Sequence, residues 1–265
     1  MTIFVEAGFR FRADRPTDVL LQFEAAAIPE QALTGVVTEF PDNLHIARVP
    51  AQDGIGERIW IAAEGDVRVS HRATIDLRRI VSDLAPLDQL GTHDLPGEAV
   101  EYLFDSRYCP ADRFQSFVGE EFAGLRGGAA VLAMRDWIAG HLTYMPGSSD
   151  SNTTALDSFV ERHGICRDFA HVLVTFARAA GIPARFVSCF APRVTPQDFH
   201  AVAEVFLADP AIAGGGAWHL LDATGMARAD EIVKIGVGRD AADVSFLTSF
   251  GPTEFLDKHV NVTKL

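Results

Sequence analysis

Gly164-Ile165-Cys166-Arg167-Asp168-Phe169-Ala170-His171 places a thiol where an apolar-periodic helix begins. From Phe169 onward, large apolar residues recur at Leu173, Phe176 and Ala180 with Val172 beside them, which is the spacing of a helix with one buried face. Gly181-Ile182-Pro183 ends it, since glycine accepts the left-handed residue after a helix and proline cannot continue one. Cys166 therefore falls on or just before the first turn. There, unpaired backbone N–H groups and the helix dipole favour a thiolate, and the same groups can hold an oxyanion.

Downstream, the alternation of Ala184-Arg185-Phe186-Val187-Ser188-Cys189-Phe190 predicts a strand. Further strands are expected at 199–207, at 218–224, around Ile232-Val233-Lys234-Ile235 and around Val244-Ser245-Phe246-Leu247. The period of two puts His200, Val202, Glu204 and Phe206 on one face. The glycine-rich loop at 209–217 is expected to be mobile. Upstream, Val131, Met134, Trp137 and Ile138 predict a helix over 129–142. A polar loop at 146–152 that can rim a cleft follows, then a short helix capped by Thr153 or Thr154 and closed by Gly164.

Residues 4–84 read as short strands: 9–12, 19–23, 36–40, 58–61 and 67–70, with turns at Asp14-Arg15-Pro16, Pro41-Asp42-Asn43 and Gln52-Asp53-Gly54. Many short strands at close intervals predict an antiparallel sandwich. Pro86, Gly91, Pro96 and Gly97 punctuate a connector, so the division expected is a β-sandwich domain over 1–90 and a core over 91–265.

The 265 residues are 48% hydrophobic and 22% charged, ordinary for one large folded domain or two modest ones. A net charge of −13 repels phosphates and anionic lipid, so neither a nucleic-acid nor a membrane partner is expected. The start, Met1-Thr2-Ile3-Phe4-Val5-Glu6-Ala7, lacks the basic flank and apolar run of a signal peptide. No apolar run approaches the roughly 18 residues that cross a bilayer. Cys109, Cys166 and Cys189 show no CxxC spacing, and free thiols point to the cytoplasm. Oligomeric state is not legible.

A thiol nucleophile needs a base near the sulfur, a group that fixes the imidazole, and donors for the oxyanion. The chain offers them in the order Cys166, His200, Asp222. His200 would take the thiol proton and return it to the leaving amine, and Asp222 would orient the ring. Residue types alone leave this open, because free cysteines are often buried and inert and strand histidines often only hydrogen-bonded. Zinc held by Cys166 with His163, His171 or His200 lacks a second nearby thiol and suitable spacing. His45 and His71 read as surface or strand-face residues, and Cys109 as a positional one.

With the blocks GICRDFAHVLVTFARAAGIPARFVS (164–188), DFHAVAEVFL (198–207), WHLLDAT (218–224) and VGRDAADVSF (237–246) in this order, the chain resembles the bacterial transglutaminase-like superfamily, including its candidate cysteine proteases. The preceding β-rich region is similar to the N-terminal domain often joined to that core. The resemblance implies an α+β protein, with an N-terminal antiparallel β-sandwich followed by a papain-like, transglutaminase-like core whose cysteine-bearing helix packs on an antiparallel sheet. It also implies a triad of Cys166, His200 and Asp222, acting on a peptide or amide substrate through a Cys166 thioester. Water as acceptor gives a peptidase or amidase, an amine acceptor gives a transamidase, and a binding module that kept the fold is the remaining alternative. This chemistry requires no metal or organic cofactor.

Within the matched segment, Asp168 reads as a cap of the helix start and Arg167 as the partner of a carboxylate. His171 and Glu204 read as supporting residues. Val202 stands where many relatives have an aromatic residue, and Cys189 where the strand usually has glycine. Cys189 reads as a packed small residue rather than a redox partner of Cys166.

Overall fold

The computed structural model describes residues 1–265 apart from Asn43, Ala211, Ala213 and Gly214. The turn residue Asn43 and part of the loop expected to be mobile at 209–217 therefore lie outside the described residues. Strands β1 (Thr2–Leu21), β2 (Gln31–Glu39), β3 (Ile46–Pro50) and β4 (Glu57–Leu77) build the N-terminal sheet. Along β1, alternation buries Ile3, Val5, Ala7, Phe9, Phe11 and Ala13, then Thr17, Val19 and Leu21, as a strand's period of two requires. The β1–β4 ladder slips between Ala13 and Thr17, and such an irregularity bends a strand. Both halves of each strand then line one core. Phe9, Phe11, Val67 and Val69 from one side of the slip pack with Val19, Leu21, Ile59 and Ile61 from the other.

The runs that read as four separate strands are thus two bent ones, with Asp14-Arg15-Pro16 inside the slipped stretch. His71 is also more enclosed than its sequence suggests. Its Nε2 accepts the Ala25 N–H at 3.2 Å and its Nδ1 lies 2.9 Å from the Thr38 hydroxyl.

After the connector come helices α1 (Gly97–Val100), α2 (Gln115–Glu121) and α3 (Gly127–His141). The two-residue strands β5 (Thr143–Tyr144) and β6 (His163–Gly164) pair in parallel around helix α4 (Ala155–Glu161). Helix α5 (Cys166–Ala179) leads into a four-stranded antiparallel sheet of β7 (Ala184–Phe190), β8 (His200–Ala208), β9 (Gly216–Leu221) and β10 (Val233–Gly238), in the order β10-β7-β8-β9. The expected single buried face of α5 is exceeded: every residue from Asp168 to Arg178 is buried. Ala203, Val205 and Leu207 meet the helix from the sheet, while Phe114, Val118, Met134 and Ile138 cover it from the other side. Burying a side chain such as Phe176 contributes roughly 1.5–3 kcal/mol.

The chain then returns to its first sheet. Strands β11 (Leu247–Ser249) and β12 (Glu254–Lys264) both pair antiparallel with β1, making a six-stranded sheet. The linear division that gives all of 91–265 to the core is corrected accordingly, since the last strands belong to the first sheet. The physical reason is the β1 edge, whose unpaired N–H and C=O groups need a partner. The strand expected over 244–247 begins only at Leu247, and Val244 instead packs inward with Ala170, Phe186 and Ala201, against Cys166. Ile3, Val5, Ala73 and Ile75 of the first sheet pack on Phe190, Val233 and Ile235 of the second. Among the described residues, no helix is long and apolar enough to cross a membrane.

Candidate active site

Helix α5 opens at Cys166, which is half-buried and carries a free thiol. Ile165 is the extended N-cap, and its N–H donates to the Asp168 carboxylate at 2.8 Å, half of a capping box in which an acidic third residue reaches back to the cap. The Asp168 side chain is fully buried and leaves no room beside it. A Cβ on Gly164 would stand 2.6 Å from the Asp168 Cβ, so glycine two residues before the cysteine is a packing requirement. Arg167 donates to the other Asp168 oxygen through Nε at 3.4 Å and Nη2 at 3.3 Å. The carboxylate that Arg167 meets is thus its own neighbour, the one that caps the helix.

His200 is the first residue of β8, opposite Cys189 on β7, and Asp222 directly follows β9. The His200 Nε2 lies 3.0 Å from Asp222 Oδ2. Asp222 is itself fixed by the Thr224 N–H and hydroxyl, each 2.8 Å from Oδ1, and by the Ala227 N–H, 2.7 Å from Oδ2. Burial works to raise this carboxyl, but His200 and Thr224 outweigh it and hold the group below the usual carboxylate range. The other ring nitrogen of His200, Nδ1, is buried without a hydrogen bond among the described residues, and Cys166 acts on the same ring. Burial alone would lower the imidazole, yet Asp222 and Cys166 together push it up to about 9. The structure therefore joins His200 and Asp222 directly and sets the thiol in the electrostatic reach of their ring. A thiol and an imidazole so related can exchange a proton, while the carboxylate orients the ring and stabilises its charged form.

Tyr144 is the residue of this site that sequence reasoning misses. The β5–β6 pairing puts it beside Gly164, and its ring packs on Phe169 at 5.9 Å. Burial first and the neighbouring Cys166 second push its phenol up to about 12, although the Cys166 backbone N–H works the other way. The phenol accordingly stays protonated beside the sulfur. A two-residue extended break between a helix and Pro146-Gly147 was the available signal.

His171 lies apart from the His200–Asp222 pair. Its Nε2 accepts the Ala241 N–H at 3.1 Å, and its ring stacks on Tyr108 at 5.1 Å and packs on Phe186 at 5.0 Å. Burial, then Arg167 and Arg178, keep it neutral by lowering it well below the ordinary histidine value. His163 pairs with Glu161 instead. The Cys189 thiol is fully buried, and burial, then Asp222 and Cys166, push it well above its ordinary value. Val202 packs with Val187 and Leu220.

Glu204 is a hub of structural ion pairs. It accepts from Arg185 Nε at 2.8 Å and Lys234 Nζ at 2.6 Å. Lys234 also meets Glu30 at 3.0 Å, Arg79 meets Glu30 at 2.7 Å, and Arg185 meets Asp53 at 2.6 Å. Burial opposes the Glu204 charge, but Lys234 and Arg185 hold the carboxyl down to about 2.

A family model described as the transglutaminase-like superfamily matches residues 120–223. A candidate cysteine protease from Cytophaga hutchinsonii has a crystal structure that aligns with a TM-score of 0.88 at 30% identity, over 99% of this chain and 90% of that one. The chain belongs to the transglutaminase-like superfamily. An uncharacterized protein of Mycobacterium leprae is 28% identical over 178 residues, 62% of this chain and 61% of its own length. One from Mycobacterium tuberculosis H37Rv is 29% identical over 174 residues, 61% of this chain and 55% of its own length. The alignments thus span little more than half the length of these curated relatives.

Proposed function

We propose that the protein is a cysteine-dependent amide hydrolase, a peptidase or amidase, with Cys166 as nucleophile, His200 as acid and base, and Asp222 as the residue that orients the imidazole. One observation carries this reading. The buried His200 ring is bonded through Nε2 to Asp222, keeps Nδ1 free of other partners among the described residues, and responds to the Cys166 thiol.

In the reaction, the Cys166 sulfur attacks the amide carbonyl carbon as its proton resides on His200. The oxyanion is held by N–H groups at the start of α5, with the protonated Tyr144 phenol a further donor. Collapse of the tetrahedral adduct breaks the C–N bond, and His200 delivers its proton to the leaving nitrogen. A thioester remains on Cys166. Water then gives a proton to His200 and its oxygen to the acyl carbon, releasing a carboxylic acid and the thiol. Asp222 stabilises imidazolium at each stage without taking the proton.

The test is to incubate the protein with a library of peptide amides, acid-quench, and weigh it intact. An acyl adduct on the wild type that Cys166→Ala lacks is expected, and in solution that adduct should yield carboxylic acid. Product formed equally well by Cys166→Ala would overturn the mechanism. Transfer of the acyl group to added primary amine in preference to water would make the protein a transamidase.

A further inference from the structure

The segment after Tyr144 is built from consecutive fixed turns. The Met145 carbonyl accepts the Ser148 N–H at 3.2 Å and the Ser148 hydroxyl at 2.7 Å. Between them Gly147 sits at φ +81°, the left-handed position that glycine supplies after proline in a tight turn. Next, Asp150 Oδ1 accepts the N–H groups of Asn152 at 2.7 Å and Thr153 at 3.2 Å. Thr154 and Asp157 then cap each other at the start of α4. This stretch is joined to the nucleophile on both sides. The Met145 N–H donates to the Gly164 carbonyl at 2.8 Å, just before Cys166. Arg167 Nη2, just after Cys166, donates to the Asp150 carbonyl.

Arg167 has its own support. Its guanidinium lies 5.8 Å from the centre of the Tyr108 ring, and the Tyr108 hydroxyl donates to the Ser151 carbonyl at 2.7 Å. The Tyr108 N–H in turn donates to Asp240 Oδ2 at 2.9 Å, which gives the GRDAADV block a purpose the hydrolase roles do not use.

From this double attachment we propose that Arg167 is a positioning residue that holds segment 145–153 against the nucleophile as a preformed wall of the acyl-donor groove. The wall claim rests on the amide-hydrolase reading, and Arg167's hold on the segment stands independently of it. Both anchors flank Cys166 by one or two residues, so a peptide chain that brings its carbonyl to the sulfur passes alongside this segment. The fork of Arg167 divides between Asp168, which fixes the helix start, and the Asp150 carbonyl, which fixes the wall. One side chain thereby sets the spacing between them.

The experiment compares wild type with Arg167→Ala, Arg167→Lys and Tyr108→Phe by three readouts. Amide hydrogen exchange across 145–153 should quicken about tenfold in Arg167→Ala, the scale of one hydrogen bond to a charged group, and less in Arg167→Lys and Tyr108→Phe. KM for a peptide amide should rise about tenfold by the same argument while kcat changes little. Alkylation of Cys166 by iodoacetamide, too small to need the wall, should keep its rate.

Unchanged exchange in Arg167→Ala would overturn the hold on the segment. Quickened exchange with an unchanged KM would overturn the wall. Alkylation falling in step with kcat would show that Arg167 acts on the thiol instead. A wild type that cleaves no amide and forms no adduct would bring down the hydrolase reading and the wall with it, while exchange still decides the hold.

Discussion

His200 and Asp222 are each displaced from their ordinary titration, and the directions fix a pH window. The imidazole is pushed up to about 9 in the folded protein, against about 6.5 in an unfolded chain. Its contribution to stability is therefore complete below about pH 6.5 and lost as pH rises through 9. The Asp222 carboxyl is held down, so its contribution is present above about pH 4 and lost on acidification. Between those limits the pair contributes in full. Asp222→Asn should lower the unfolding free energy by about 2 kcal/mol at pH 6, the worth of a buried charge-assisted hydrogen bond. The deficit should shrink by pH 10. Urea titrations at the two pH values measure it, and an equal deficit at both would contradict the assignment.

At the scale of the element, the start of α5 is where sequence and structure agree most closely. The apolar spacing, the Gly181-Ile182-Pro183 stop, the Thr154 cap and the strand at 184–190 are local signals, and each appears where local physics puts it. The enclosure of α5 on all sides was not legible, because Thr175 and Arg178 look like an exposed face until their partners are known. Arg178 is buried with Nε on the Ala184 carbonyl and Nη2 on that of Arg239, partners that only the fold brings together. Tyr144 escaped for the same reason, since its place depends on a two-residue strand pairing. The proposed triad could be read from the chain because three separate motif blocks each carry one of its members.

The tight contact before α5 yields a prediction at this scale. Gly164→Ala must displace the Asp168 side chain, and overpacking of this kind typically costs about 1–3 kcal/mol. A thermal melt should show that loss. Cys166 alkylation should slow as the helix start shifts, and an alanine variant with wild-type stability and reactivity would refute the packing argument.

For the whole molecule, the two sheets are joined by apolar packing and by one buried charge network. Lys234 meets Glu30 and Arg185 meets Asp53 across the junction, while Glu204 bridges Arg185 and Lys234 within the second sheet and Arg79 meets Glu30 on the side of the first. Three acids against three bases leave no uncompensated charge, the condition under which burial is tolerable. Glu204→Gln breaks that balance and should destabilise the protein by about 3–5 kcal/mol, as for other buried pairs that lose one partner. Guanidinium unfolding followed by fluorescence, with Trp60 in the first sheet and Trp137 and Trp218 in the core, would measure it. A loss under about 1 kcal/mol would mean that the network relaxes without cost.

The pairing of β12 with β1 also sets an order of events during synthesis. Strand β1 leaves the ribosome well before β12, yet its stretch from Ile3 to Arg12 pairs along one edge with residues 254–264. Until that closing strand emerges, the edge presents a row of open backbone donors and acceptors, the kind of template on which nascent chains aggregate. Partners so far apart in sequence also find each other slowly. A growing chain can pair β1 with β4 and gather α5 and the second sheet while the other edge of β1 still waits for β12.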